Sequence, residues 1–440
     1  MVLGSILNPI NSSMLAVALI PIGAAFGVPP SRTAWLVTAL YLATAVGQPV
    51  IGRLVDMYGP RLLYLMGTAL VGVAGGMAVF APDLSWLIVS RVLLGIGTSA
   101  AYPASMFLLR SESERTGLRN PSGILALLSV SNQVISVVGP TVGGVLIETG
   151  GWHLIFSINV PLSLACLVLG ALRLPRRSQL RTDPARGVDV LGMVAFAGML
   201  TAFMLFLMGP GVEHAYLVGI AVVAGAGFVW WEWRNAEPFI DLRVLRGNAR
   251  LLATYVRQLL AFTTSYAFLY GFTQWLQESR GLSAYQAGLL LLPMSGAAIV
   301  VTALTGRRAV VRGKLVVGAL VQIAGCAALL TLGPSSPVWS LVVIAAVVGV
   351  PQGLIGLANQ NALYAQADLD RMGSSAGLLR TFMYIGALLA AAANAAFYRH
   401  GATTSGLHGL SVLLLAVAVL LLLTTLADRS LRRVGRAVPR

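Results

Sequence analysis

Apolar runs of about 20 residues recur along the whole chain, separated by short breaks of charged residues, glycine and proline. A helix of about 20 residues rises ~30 Å, the thickness of a bilayer's hydrocarbon core. The breaks place fourteen spans at about 4–27, 33–53, 61–81, 84–108, 122–147, 153–173, 188–209, 214–232, 250–275, 283–305, 314–333, 337–361, 372–397 and 407–427. The chain reads as an all-α polytopic membrane protein. Its charged fraction, 10%, agrees with that, since a soluble domain carries about 25%. No soluble stretch exceeds about 20 residues, which leaves no room for a separate soluble catalytic or nucleic-acid-binding domain.

The net charge of +15 would suit nucleic acid, but its distribution points to the membrane. With the N-terminus inside, the inner loops collect 24 of the 30 Lys and Arg; Arg32, Arg280 and Arg399 stay outside, and Arg91, Arg257 and Arg380 fall within spans. Positive-inside asymmetry of this kind sets orientation. It implies a cell-membrane protein, inner in an organism with two membranes, with both termini cytoplasmic and no nucleic-acid partner. The basic tail "DRSLRRVGRAVPR" then faces anionic lipid headgroups, chiefly as a topological anchor. The N-terminus has no basic n-region and no cleavage pattern, so it reads as a span rather than a signal peptide. Cys166 and Cys326 lie in apolar runs and read as packing residues. His153, His214, His400 and His408 lie near outer loops without ligand spacing, so no metal and no cofactor is expected.

Two charged loops, "GRLVDMYGPR" at 52–61 and "GRRAVVRGK" at 306–314, share a spacing (Gly52 and Gly59; Gly306 and Gly313), each after the second span of a six-span block. This divides the chain into an N-terminal six-helix bundle (1–174), a linker with an extra hairpin (175–249, spans at 188–232) and a C-terminal six-helix bundle with the basic tail (250–440). Two parallel repeats are the sequence sign of an alternating-access transporter. Polar residues concentrate in spans one, five, nine and twelve, and intramembrane polar groups face a bundle interior or a cavity. Asn11, Gln133, Tyr266 and Asn359 are the candidates for lining a substrate cavity, with helix–helix hydrogen bonding as the alternative. The extra hairpin is almost free of polar residues and reads as a lipid-facing buttress.

In "GRLVDMYGPR", Asp56 is the one acid, flanked by Arg53 and Arg61 at a helix end. An acid there can accept from a neighbouring helix N-terminus or pair with an arginine, in one packing of the helices only. Gly52, Asp56, Gly59 and Arg61 are thus a candidate conformational latch, or a plain charged loop. In "GPTVGG", Gly139, Gly143 and Gly144 form a small-residue stripe for close helix approach, and Pro140 removes a backbone bond and bends the helix, a candidate packing seam. The arginines within spans can snorkel or cap carbonyls.

The loop at 52–61 resembles the signature between spans two and three of the major facilitator superfamily, with Gly52, Leu54, Asp56, Gly59 and Arg61 matching and Met57 and Pro60 departing. "RVLLGIGTSAAYPA" (91–104) is similar to the fourth-span motif built on an intramembrane arginine, here Arg91. "GPTVGG" (139–144) resembles the fifth-span antiporter signature. "GWHLIFSINVP" (151–161) and "GLSAYQAGLLLLP" (281–293) look like the sixth- and tenth-span entries of the fourteen-span drug:proton antiporter branch, the EmrB and QacA type. The resemblance implies two six-helix bundles plus an inserted pair, export of an amphipathic small molecule with protons as possible co-substrate, and a coupling role for Arg91.

One departure bears on substrate. The branch's first span carries an intramembrane acid, and here its place falls on Asn11 in "LNPINSSMLAVALIP". All fifteen acids lie in loops or at span ends. A cavity of amides, hydroxyls and arginines favours neutral or anionic amphiphiles over dications, because an uncompensated charge in low dielectric is expensive. Import, or export of one dedicated metabolite, is the transport alternative. An enzyme needs a nucleophile or acid/base pair facing a cavity, so none is expected, and a receptor would need a sensor or output segment.

Overall fold

A computed structural model describes residues 4, 7–116, 122–175, 189–208, 211–235, 238–240, 242–306, 310–367 and 372–432, and among these every regular element is helical. The helices run α1 (Leu7–Phe26), α2 (Pro30–Tyr58), α3 (Pro60–Val79), α4 (Leu84–Thr98), α5 (Ala101–Thr116), α6 (Ser122–Gly150), α7 (Leu154–Ser157) and α8 (Asn159–Arg173). Then come α9 (Val190–Met208), α10 (Ala215–Arg234), the short α11 (Leu242–Gly247), α12 (Ala249–Glu278), α13 (Ala284–Thr305), α14 (Val311–Leu329), α15 (Val338–Gln366), α16 (Met372–Phe397) and α17 (Thr404–Ala427).

Local chemistry sets the helix ends. The Asp83 carboxylate accepts from Trp86 N at 2.8 Å, Asn248 from Leu251 N at 3.0 Å and Thr403 from Gly406 N at 3.2 Å, while Ser283 and Gln286 form a capping box. Each satisfies a donor the first turn would leave free. Pro30 and Pro60 open their helices, where a missing N–H removes nothing. Gly59 joins α2 to α3 at φ 90°, a left-handed backbone that a side chain would strain.

Among the described residues, twelve helical spans are long and apolar enough to cross a membrane, so this is a multi-pass membrane protein. The long helices α6 and α12 lie outside that twelve. In α12 the reason is visible: Gln258, Thr263, Thr264, Ser265 and Gln274 dilute its apolar content. Two spans expected as single helices are broken, at residues 99–100 between α4 and α5 and at Ile158 between α7 and α8. The repeat proposed for the glycine loops fails in conformation. Gly306 caps α13 at φ −56° and Gly313 lies inside α14, so neither makes the left-handed turn of Gly59.

The N-terminal helices α1–α8 pack among themselves, as do α12–α17, and among the described residues five contacts join the groups: α2 on α16, α6 on α13, α1 on α12, α1 on α13 and α5 on α16. The hairpin α9–α10 packs internally, and α9 also rests against α2 and α16. The outward face of α10 exposes Val222, Val223 and Trp230. The expected polarity-free buttress needs correction at its foot. There Asp189 and Glu232 are both buried. Asp189 accepts from Gly192 N (2.8 Å), Trp231 Nε1 (2.7 Å) and Phe239 N (3.2 Å), and Glu232 from Ile240 N (3.1 Å). Burial alone would raise the Asp189 pKa, but these donors outweigh it and hold the carboxyl below its usual range. The acids at this hairpin therefore fasten residues 239–240 rather than sitting free in a loop.

Candidate transport pathway

The two groups of helices meet around tyrosines. Tyr41 on α2 and Tyr270 on α12 bring their hydroxyls within 3.0 Å, and the Tyr270 hydroxyl donates to the Ser12 carbonyl on α1 at 3.0 Å, so the Tyr41 hydroxyl is the donor to Tyr270. Tyr266, the expected cavity residue on α12, has its ring centroid 5.0 Å from that of Tyr41, and Tyr384 on α16 stacks on Tyr41 at 5.6 Å. Below them Arg380 on α16 lies over the Tyr102 ring of α5 at 4.2 Å. Spacing on two separate helices, Tyr266 and Tyr270 one turn apart and Arg380 and Tyr384 likewise, aims all four at one region.

Arg91 is almost completely buried on α4, its guanidinium 4.6 Å from the centroid of the Phe156 ring, and its Nε and Nη1 have no hydrogen-bond partner. Phe156 belongs to the "GWHLIFSINVP" element, so two of the quoted motifs meet here. Arg257 differs from the capping role its position suggested. Fully buried on α12, it pairs with Asp428 just past α17 at 2.9 Å.

The amides expected in the cavity are engaged within their own helix groups. Asn11 Nδ2 donates to the Leu7 carbonyl at 2.8 Å, and Asn159 Nδ2 on α8 donates to Asn11 Oδ1 at 2.8 Å. Asn359 on α15 donates to Gln258 on α12 at 3.0 Å, leaving its own Oδ1 without a partner. Both are helix–helix clamps in this conformation, the alternative weighed for such residues. The Gln133 side chain lies outside the described residues.

The "GPTVGG" stripe serves two neighbours. A Cβ on Gly143 would meet Met14 of α1 at 3.1 Å, and one on Gly139 would overlap Ser13. On the other side, a Cβ on Gly144 would lie 2.6 Å from Tyr285 Cα and 2.9 Å from the Ala284 carbonyl on α13. The Pro140 carbonyl faces Gly288 of α13, the Thr141 hydroxyl donates to the Gly288 carbonyl at 3.3 Å, and the Ser283 hydroxyl donates to Glu148 at 2.8 Å. In the latch region, Gly52 lies against Pro103 of α5 and Arg61 Nη2 donates to the Ala171 carbonyl at the end of α8, at 2.8 Å. The Asp56 side chain lies outside the described residues, although its backbone completes the last turns of α2. Among the described residues no group of His, Cys, Asp and Glu could hold a metal ion.

The sequence profile described as Major Facilitator Superfamily matches residues 1–391. The chain belongs to that superfamily. It is 34% identical over 394 residues to the uncharacterized MFS-type transporter YwoD of Bacillus subtilis, covering 88% of this chain and 86% of that one. It is 27% identical to the tetracenomycin C resistance and export protein of Streptomyces glaucescens, covering 88% and 73%. A solved structure of a proton dependent oligopeptide transporter superposes with a TM-score of 0.67 at 14% identity, covering 99% of this chain and 98% of that chain, a likeness of fold.

A superfamily member with this fold is a membrane transporter rather than an enzyme, and the interface between α1–α8 and α12–α17 is where its chemistry is to be sought. Sequence reasoning reached Tyr266 there but missed Tyr41, Tyr102, Tyr270 and Tyr384. No periodicity within one helix reports that side chains from four helices converge, so only the three-dimensional packing could reveal them. An apolar cleft of about 410 Å³ where α1 passes into α2, with Glu278 as its one charged wall, is separate from this cluster.

Proposed function

We propose that the protein exports amphipathic small molecules by alternating access, driven by the proton gradient, as a fourteen-span transporter of the drug:proton antiporter branch. In this reading residues 1–174 and 250–440 are the two rocking bundles, 188–232 is an inserted hairpin, and both termini face the cytoplasm. Gly139, Pro140, Gly143 and Gly144 are the seam on which the bundles turn, Gly52, Asp56, Gly59 and Arg61 latch the inner face, and Arg91 takes part in coupling.

One observation carries the proposal. Among the described residues, α1–α8 and α12–α17 are joined by no ion pair; their polar contacts include single hydrogen bonds, Tyr41 to Tyr270, Tyr270 to Ser12, Thr381 to the Ala45 carbonyl, Thr141 to Gly288 and Ser283 to Glu148, and the Arg380 guanidinium over the Tyr102 ring. Each hydrogen bond is worth about 0.5–1.5 kcal/mol net, rising to about 3 where a carboxylate accepts. An interface of small residues and a few such bonds can part and reform, whereas buried ion pairs would lock it. The supporting comparison is the relative named for resistance and export of tetracenomycin C.

The test is flux. Inside-out vesicles carrying the protein, with an imposed pH gradient, are offered neutral, anionic and cationic naphthalene derivatives. Accumulation that a protonophore abolishes is the expected result. Accumulation of no probe above protein-free vesicles, or flux only in the opposite direction, overturns the reading.

A further inference from the structure

Three arginines lie within spans, and the structure treats them differently. Arg257 has a carboxylate at 2.9 Å. Among the described residues no carboxylate pairs with Arg91 or with Arg380. The contacts of the half-buried Arg380 include the Tyr102 ring at 4.2 Å and the Met383 sulfur at 3.9 Å. Arg91 keeps two buried donors unpartnered beside the Phe156 ring. Arg380 thus stands at the tyrosine cluster with no acid paired to it among the described residues. Leaving a cation uncompensated in low dielectric is costly, which the fold avoids at Arg257 and accepts here.

The rings supply the other half of a binding surface. Tyr102 and Tyr41 come from α5 and α2, Tyr266 and Tyr384 from α12 and α16, so both groups of helices contribute faces. Tyr41 and Tyr384 lie nearly parallel, 28° apart at 5.6 Å, and Tyr41 and Tyr266 are tilted by 59° at 5.0 Å. Offset and tilted rings of this kind accept a planar aromatic in place of one another. A guanidinium fork matches the geometry of a carboxylate or sulfonate through paired N–H donors.

We propose that Arg380 and the rings of Tyr41, Tyr102, Tyr266 and Tyr384 form the substrate site and select a planar aromatic monoanion, its ring among the tyrosines and its carboxylate or sulfonate on Arg380. The proposal rests on the export reading for its role in transport, and on geometry alone for the site. Because the rings belong to both groups of helices, a ligand enters only when these part, and it holds them together by replacing tyrosine–tyrosine contacts. Selectivity then follows from charge: a cation of the same shape meets the Arg380 guanidinium, and a neutral one gains stacking only.

The experiment is equilibrium binding to the purified full-length protein in nanodiscs of zwitterionic lipid. The probes are 2-naphthalenesulfonate, 2-naphthol and 2-naphthylmethylammonium, with methyl viologen as a dication. The wild type should bind the sulfonate roughly tenfold to a hundredfold more tightly than naphthol, the range expected for a hydrogen-bonded charge contact, and the cations more weakly still. Arg380→Gln should remove that preference and leave naphthol binding within about twofold, while Arg380→Lys, which restores charge without the fork, should recover part of it. Tighter binding of either cation than of the sulfonate by the wild type overturns the site, and needs no variant to fold. Equal weakening of all probes by Arg380→Gln also overturns it, since that is a structural effect. If the sulfonate preference holds but the vesicles move nothing, the export reading fails and the site stands; if the vesicles export other probes and the preference is absent, the site alone fails.

Discussion

Removing the Asp428 carboxylate should loosen the junction between α12 and the end of α17. Arg257 is 0% exposed and Asp428 8%, with Nη1 and Oδ2 at 2.9 Å. Thr254 Oγ1 accepts from Arg257 Nη2 at 2.7 Å, and Asp428 Oδ1 accepts from Ser430 N at 3.0 Å and Ser430 Oγ at 2.6 Å. Asp428→Ala strands the guanidinium, and breaking one side of a buried pair costs about 3–5 kcal/mol. For a cooperative unit of roughly 200 residues, each kcal/mol moves the melting midpoint by about 2–4 °C, so a fall of roughly 6–20 °C is expected. Cys166 and Cys326 are free and buried, so a thiol-reactive fluorophore that lights up on unfolding reads the midpoint directly. Replacing both partners, Arg257→Met with Asp428→Leu, should recover most of the loss, because it leaves no orphan charge. Acid should mimic the single variant. Burial raises the Asp428 pKa, but the Ser430 hydrogen bonds and the Arg257 charge reverse this and hold it below the usual carboxylate range. A depressed folded pKa gives stability that is complete above the ordinary aspartate value of about 3.9 and is lost as pH falls through the lower folded value. A midpoint shift under about 2 °C for Asp428→Ala, or a double variant no better than the sum of the singles, would refute the reasoning.

The other expected outcomes can be checked with similar preparations. Gly144→Val should abolish flux while leaving the protein in the membrane, because its Cβ meets backbone of Tyr285 and Ala284 that cannot swing aside; near wild-type flux would remove Gly144 from the seam. Asp56→Asn should slow transport several-fold at unchanged expression if the carboxylate makes a charge-assisted contact of about 1.5–3 kcal/mol in one state only, and wild-type rates would mark the loop as a topological anchor. Asn11→Asp should lower the melting midpoint rather than create a cation site, since a carboxylate at high pH cannot donate to the Leu7 carbonyl; pH-dependent binding of monovalent organic cations at unchanged stability would reverse that conclusion. Cysteines placed at Ser178 and Ser335 should label from opposite faces of intact cells, and labelling of both from outside would overturn the proposed topology.

Much of the fold is legible because a hydrocarbon solvent imposes a severe code. Runs such as "LLYLMGTALVGVAGGMAVF" must become helices, and the breaks between them carry the glycines, prolines and capping residues that end helices. Interruptions inside a run are less visible. Nothing in "RVLLGIGTSAAYPA" other than Pro103 announces that α4 ends at Thr98 and α5 begins at Ala101, since the residues between, Ser99 and Ala100, are also tolerated in helices. The glycine loops show the opposite error: equal spacing at Gly52/Gly59 and Gly306/Gly313 concealed different backbones, because glycine is permissive and its presence does not specify which conformation it adopts.

Site residues were legible in proportion to how local their chemistry is. The "GPTVGG" stripe could be read as a packing surface because three glycines within six residues leave two faces of one helix bare, and both faces are filled in the structure. Asn11 and Asn359 illustrate the limit. A polar residue in a span requires a partner, but the sequence does not say whether that partner is a ligand, a water or another amide, and Asn159 and Gln258 answer for this conformation. The same reasoning separates the arginines. The sequence singled out Arg91 by its motif and left Arg257 and Arg380 as isolated charges in oily sequence, and the distant acids separate them further: Asp428 is 171 residues from Arg257 and satisfies it, whereas Arg91 and Arg380 have no such acid among the described residues. Among the described residues, the fold neutralises Arg257 and leaves Arg380 beside a cluster of tyrosines, which puts that positive charge where the two groups of helices meet. In a transporter of this superfamily, the balancing charge can arrive with the cargo.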